Sequence, residues 1–307
     1  MNPQHKRVIV LGNRSLVATS VDGLFGWEMN ATNTGLVGAG IDKNTLPLYT
    51  GTDTPTAGTT ISLKKITLPN MYCAAGNITF DRCWFKPTAA QGEMDNRAGY
   101  VFGYDPDFAA NQLGNVTFLD CDMDGSAITS DDVYHSCAFR GAGSLYRCNI
   151  FGFGGGVAYV GAPTVSTSTI EHCYMHDGRG GMFGEPAQQS HNEAMFIFSF
   201  GGTSFNIKNN TFLSFTVSDT AAVFIQCWDV VQNIVFEGNA LDTNGWDMPL
   251  EQHGNSYSNL SCINNRFGTT AIGPAYVDGG AGWDTWTNNF LWVPANPNQA
   301  GTIVTEP

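Results

Sequence analysis

Carboxylates and imidazoles gather in one interval of the chain, bracketed by His176-Asp-Gly-Arg179 and His191-Asn-Glu193, with Glu185 between them. A polysaccharide hydrolase works with two carboxylates across one groove, about 5 Å apart for retention or about 6.5 to 9.5 Å for inversion. Asp177 and Glu193, with His191 and Arg179 beside them, form the candidate catalytic set; Asp124, Asp131 and Asp132 are earlier acids that could face the same groove. His176 and Glu185 are candidate glycan contacts. So are Trp246 and His253, which flank a second polar loop around Glu251-Gln-His253. A lyase would instead use a base such as Arg179 beside carboxylates holding calcium, and Asp122-Met-Asp124 is the segment that could hold it, although no dense Asp cluster is present. Gly178, Gly180 and Gly181 mark a turn, so a solvated surface turn competes with the catalytic reading.

These residues must be positioned by the elements around them, and those elements repeat. In Phe205-Asn-Ile-Lys-Asn-Asn-Thr-Phe212, apolar residues stand five and three before Asn210 and two after it. The same frame fits Ile234, Phe236, Asn239, Leu241 and Leu260, Cys262, Asn265, Phe267; upstream the pivot is cysteine, as in Ile78, Phe80, Cys83, Phe85 and Val116, Phe118, Cys121, Met123. Cys148, Cys173 and Asn289 carry partial copies. Alternation before each pivot is the period of a strand with one buried face. Pivots at 121, 148 and 173, and at 210, 239, 265 and 289, are too far apart for hairpins and suit one coil of a parallel β-helix. The longer steps from 83 to 121 and from 173 to 210 predict inserted loops. Tyr134 to Phe139 reads as a second strand of its coil, and Met195-Phe-Ile-Phe-Ser-Phe200 and Ala222 to Gln226 as strands between pivots, their phenylalanines stacked inside. The pivots predict a cysteine ladder followed by an asparagine ladder whose amides bond along the stack.

The frame divides the chain into a non-repeat segment over 1–50, a cap or attachment piece; the β-helix over 51–293; and a Pro-rich tail over 294–307 whose prolines stop the ladder. Twenty-seven acidic residues against 14 basic ones give a net charge of −13, which argues against nonspecific nucleic-acid binding. An acidic polymer would therefore need local basic residues or bridging cations. Val8 to Leu11 is too short for the core of a secretory signal, and no run approaches a membrane span. Eight cysteines are then expected reduced, and Cys73, Cys137, Cys227 and Cys262 show no CxxC pairing, so no metal site is expected.

Asn33-Thr-Gly-Leu, Leu48-Tyr-Thr-Gly, Thr56-Ala-Gly-Thr-Thr60, Asn77-Ile-Thr-Phe-Asp-Arg-Cys83, Thr169 to Asp177, His191-Asn-Glu-Ala194 and Trp286-Thr-Asn-Asn289 occur in that order. Over roughly 33–293 the chain resembles the right-handed, pectate-lyase-like parallel β-helix proteins of bacteria and of the tail genes of phages infecting actinobacteria. The resemblance implies an all-β fold, a single-stranded right-handed parallel β-helix of about eight to nine coils. It also implies a tail-associated virion protein, a homotrimer assembled in the host cytoplasm with other virion proteins, with a structural role or binding host-surface glycan. A polysaccharide-degrading lyase or glycoside hydrolase is the alternative, with calcium as cofactor if a lyase. Where the family reads His-Asn-Asp-Gly, this chain has His191-Asn-Glu-Ala194, and the Gly-His-Gly and Arg-x-Lys signatures of pectin hydrolases are absent.

Overall fold

A computed structural model describes residues 23–88, 99–103, 115–129, 133–134, 136–160, 167–183, 188–198, 204–213, 219–227, 231–253, 257–269, 272–293, 295–296 and 301–307. Glu185, Asp131 and Asp132 lie outside these residues, as does 1–22 of the non-repeat segment.

The repeats form three parallel sheets of nine, nine and eight strands. Sheet I holds the alternating strands before the pivots, from Thr60–Ser62 to Thr285–Thr287; sheet II the short strands after them, from Lys65–Ile66 to Phe290–Leu291; and sheet III the strands between, from Met71–Tyr72 to Gly273–Asp278. Every strand pairs with its counterpart one repeat later, as Phe205 with Ile234 and Ile207 with Phe236. This is the connectivity expected of a parallel β-helix. The residue three before each pivot stacks inward through Ile61, Phe80, Phe118, Leu145, Ile170, Ile207, Phe236, Cys262 and Trp286. Ile61 and Ile66 reveal a further copy of the frame with Lys64 at its pivot, which the sequence pattern did not mark.

The bend between sheets I and II falls one residue before the pivot. Arg82, Asp120, Arg147, His172, Asn209, Gly238, Asn264 and Asn288 all adopt φ between 49° and 68° there. A left-handed residue interrupts the strand ladders, so the next amide and a nearby carbonyl need other partners. The asparagine ladder supplies them: each pivot amide donates to the next pivot's Oδ1, at 2.8 to 2.9 Å from Cys173 through Asn265. Each Nδ2 donates back to a sheet I carbonyl, as Asn239 to Ile207 at 2.9 Å, and along the ladder to the next Oδ1 at 3.0 to 3.1 Å. The thiols make a longer version of the same pattern, with Cys83 N to Cys121 Sγ at 3.5 Å and Cys121 Sγ to the Phe80 carbonyl at 3.4 Å. Both ladders match the sequence expectation.

Cys137–Arg140, Asn192–Phe198 and Asp219–Cys227 are strands of sheet III, as expected, and the long step after Cys173 contains the antiparallel pair Met182–Phe183 and Gln188–Gln189. The phase of the phenylalanines differs from expectation. Met195, Ile197, Val223 and Ile225 fill the core, so Phe196 and Phe224 fall on the outer face of sheet III, their rings 5.6 Å apart. Ala194 and Met195 are consecutive and both face the core, and this break in alternation sets that phase. Trp246–Gln252 is likewise a strand, not the polar loop expected around Glu251.

The described part of the N-terminal segment runs along the outside of sheet II as a strap. Gly26 N–H donates to the Gly238 carbonyl at 2.7 Å, Trp27 lies between Phe25 and the Arg266 guanidinium, and Thr211 Oγ1 donates to the carbonyls of Gly26 and Met29. Further on, Gly35 N–H donates to the Arg147 carbonyl at 2.6 Å and Leu36 N–H to Asp122 Oδ1 at 3.0 Å. Leu48 then bridges Lys65 at the first edge of sheet II. At the other end the tail turns back instead of simply stopping: Ile303 bridges Phe290 antiparallel, and Leu291 N–H donates to the Thr302 carbonyl at 2.8 Å, covering the last edge of sheet II.

Asp122 joins strap to sheet, and burial raises its pKa to about 6 against the opposing pull of Leu36 N–H and Lys43. A folded-state pKa above the ordinary 3.8 means that the folded protein binds this proton more tightly than the unfolded chain. The cost of the buried charge is therefore present above pH 6 and is relieved as pH falls from 6 toward 4, by on the order of 2–3 kcal/mol. Urea unfolding of wild type and Asp122→Asn across pH 4.5 to 8 should show the difference between the two curves shrinking as the pH falls. A difference independent of pH would refute the assignment.

Candidate functional site

Two consecutive core residues, Ala194 and Met195 or Ala222 and Val223, separate one outer row of sheet III, Glu193, Ala221, Trp246 and Gly273, from a second containing Arg140, Ala158, Phe196, Phe224, Pro249 and Tyr276. A third holds Gln226, Glu251 and Asp278. The small residues seat the large one: a Cβ on Gly273 would come 2.6 Å from the indole of Trp246. That indole packs edge-to-face on Tyr276 with centroids 4.8 Å apart.

Glu251 stands at the centre of this surface. Its Oε1 accepts from the Tyr276 hydroxyl, and its Oε2 from Gln226 Nε2 and meets His253 Nε2, each at 3.1 Å. Burial opposes ionisation of Glu251, but these contacts outweigh it and hold the carboxyl below its usual range. Burial first, then the bond to Glu251, raises the Tyr276 phenol, which stays a donor. Glu251 is thus held as an acceptor beside the aromatic rings of Trp246 and Tyr276. That chemistry suits recognition of hydroxyl and amine hydrogens by the carboxylate and of C–H faces by Trp246 and Tyr276.

Of the sequence candidates, Trp246 and His253 belong to this face, and Glu193 occupies the same outer row as Trp246. Asp177 lies on sheet II's side, highly exposed, with Oδ2 2.7 Å from His176 Nδ1. His176 stacks on Tyr174 and Phe151 and reaches Asn149 Oδ1 at 3.0 Å; burial lowers its pKa despite the neighbouring Asp177. Arg179 donates to the Ile128 carbonyl at 2.6 Å and lies over Tyr134, while His191 meets Thr220 Oγ1 at 3.1 Å. Asn192 Nδ2 donates to the Arg179 carbonyl at 2.7 Å, so the two ends of the insertion do meet. They meet through Asn192, with Asp177 and Glu193 on different sheets. Asp122 and Asp124, the calcium candidates, are engaged by Lys43 at 3.9 Å and Lys86 at 2.8 Å. Among the described residues no group of three or more His, Cys, Asp or Glu is placed to hold a metal, and no helix is long and apolar enough to cross a membrane. Sequence reasoning missed Gln226 and Tyr276 as site residues; the spacing of Gln226, Glu251 and Asp278, each about one repeat apart, was the available signal.

No family model matches the chain, and searches of curated proteins and of solved structures return no match.

Proposed function

We propose that the protein binds a surface glycan through the outer face of sheet III, centred on Glu251, as a tail-associated phage virion protein. In this reading the coils are right-handed, as parallel crossover connections almost always are, and number about nine. The glycan assignment rests on one observation: a carboxylate held by Tyr276, Gln226 and His253 beside the ring pair Trp246–Tyr276. The virion setting, the homotrimer and the other virion partners rest on the resemblance of the sequence. Binding without cleavage is favoured because the contacts of Glu251 favour its charged, accepting form over the protonated form of a general acid.

A depolymerase is the second reading, and the register supports it: Glu251 and Asp278 are direct partners on adjacent strands of the same face. Labelled protein incubated with bacterial surface polysaccharides, scored for retained label and released reducing sugar, separates the two. Retention without sugar release is expected, and Trp246→Ala should weaken it about 10- to 100-fold, as truncation of a central aromatic anchor does. Steady sugar release abolished by Glu251→Gln would establish cleavage instead. Retention unaffected by either substitution would remove this face from the reading.

A further inference from the structure

Three of the 14 basic residues of this acidic chain converge on one indole. The ammonium groups of Lys65, Lys43 and Lys86 lie 4.5, 5.1 and 5.9 Å from the ring of Trp84. They arrive from separate parts of the fold. Lys65 is the register partner of Trp84 in sheet II, Lys86 follows the Trp84–Phe85 strand, and Lys43 is carried in by the strap.

Their partners are unequal. Lys86 donates to Asp124 Oδ2 at 2.8 Å and Ser126 Oγ at 2.6 Å, so it is held in place. Lys43 is 3.9 Å from Asp122 Oδ2, beyond hydrogen-bond length. Among the described residues the Lys65 ammonium meets only the indole. Each ammonium has three hydrogens to donate, so Lys65 and Lys43 retain donors that nothing in the cluster accepts. Three cations face two carboxylates, and like charges this close repel, a cost that an added anion removes.

We propose that Lys65 and Lys43 form a binding site for a compact oxyanion (carboxylate, sulfate or phosphate), with Lys86 fixed by Asp124 as the third positive group. The ligand is compact because Trp84 is only 8% exposed and offers edge and charge, with no open ring face for stacking. In a chain of net charge −13 this cluster is a local exception that lets an acidic group approach. The site lies on sheet II and is independent of the glycan face on sheet III.

Calorimetric titration of the full chain with sodium sulfate, sodium phosphate and glucuronate, at constant ionic strength, tests this. Saturable binding is expected, weakened about 10-fold or more by Lys65→Gln and by Lys43→Gln, and unchanged by Lys208→Gln, whose ammonium is paired with Glu237 on sheet I. Tighter binding of glucuronate than of sulfate would identify an acidic sugar as the source of the oxyanion, and the reverse order a free inorganic ion; both support the site. Lack of saturable binding by the wild type overturns it. So does equal weakening by Lys208→Gln, which would mean diffuse charge screening.

Discussion

Asn239→Ala is expected to destabilise the fold by about 3–5 kcal/mol. Asn239 is fully buried, and its Oδ1 accepts from both the backbone and side-chain nitrogens of Asn210, at 2.9 and 3.0 Å. Its Nδ2 donates to the Ile207 carbonyl and to Asn265 Oδ1, at 2.9 and 3.1 Å. Alanine leaves the Asn210 amide, an Asn210 side-chain hydrogen and the Ile207 carbonyl buried without those partners, and each such loss costs about 1–3 kcal/mol. Asn210→Cys makes the informative contrast. Its upstream neighbour is already a cysteine, and a thiol there could bond the Ile170 carbonyl as Cys121 bonds Phe80, so a smaller cost of about 1–2 kcal/mol is expected. Equilibrium urea unfolding followed by circular dichroism measures both. If Asn239→Ala costs no more than Asn210→Cys, the amide ladder is not what stabilises the bend.

Gly26→Ala should lift the strap from the sheets while leaving the stack folded. A Cβ at Gly26 would stand 2.2 Å from the Asn210 carbonyl oxygen and 2.7 Å from that of Gly238, and both are backbone atoms of the ladder turn. Neither can retreat without breaking the repeat. The strap must therefore give up the burial of Trp27, Met29 and Leu36, where burying each large apolar side chain stabilises by about 1.5–3 kcal/mol. Docking weakened by about 100-fold or more is expected. Limited proteolysis should cut within 24–46, iodide should reach Trp27, and far-ultraviolet circular dichroism should keep its strand signal. Gly40→Ala is the control: at φ 72° with open space around it, it carries only the left-handed backbone penalty of about 1–2 kcal/mol. Equal protease sensitivity of the two variants would contradict the contact assigned to Gly26.

The repeat was legible because the inward positions carry large apolar residues at fixed offsets from the pivots. What surrounds the pivots was not. The left-handed residue before each one is Arg82, Asp120, Arg147 or His172 in the first half, a mixed set in which the arginines do not advertise that conformation, and becomes asparagine or glycine only later. Lys64 hid its copy of the frame because a lysine at the pivot matches neither ladder. In Met195-Phe-Ile-Phe both phases of alternation are apolar, so hydrophobicity could not say which residues face in; the inward pair Ala194–Met195 decided it. The insertion between Cys173 and Asn210 drew attention by its density of charge, yet Asp177 and Glu193 ended on different sheets, because a loop's ends are placed by the sheets that they join. Glu251 acquires its partners from two neighbouring repeats as well as its own, and Thr211 meets Gly26 across 185 residues of sequence. Contacts of that range follow from stacking, and local spacing does not record them.

A stack in which each rung grips only its neighbours carries tension like a pile of coins glued face to face, and it parts at its weakest joint. The ladder contacts are longest among the thiols, 3.5 Å from Cys83 to Cys121 and 3.4 Å from Cys148 to Cys173, and the seam between Cys173 and Asn210 is where amide acceptors take over. The strap crosses it. One anchorage grips the adjacent rungs of Gly238 and Thr211, the other the adjacent rungs of Arg147 and Asp122, with Leu24 touching His172 between them. Pulled along its length, the protein cannot open at the seam until one anchorage shears, so the segment outside the repeat acts as a tie rod across the one place where the repeat changes its chemistry.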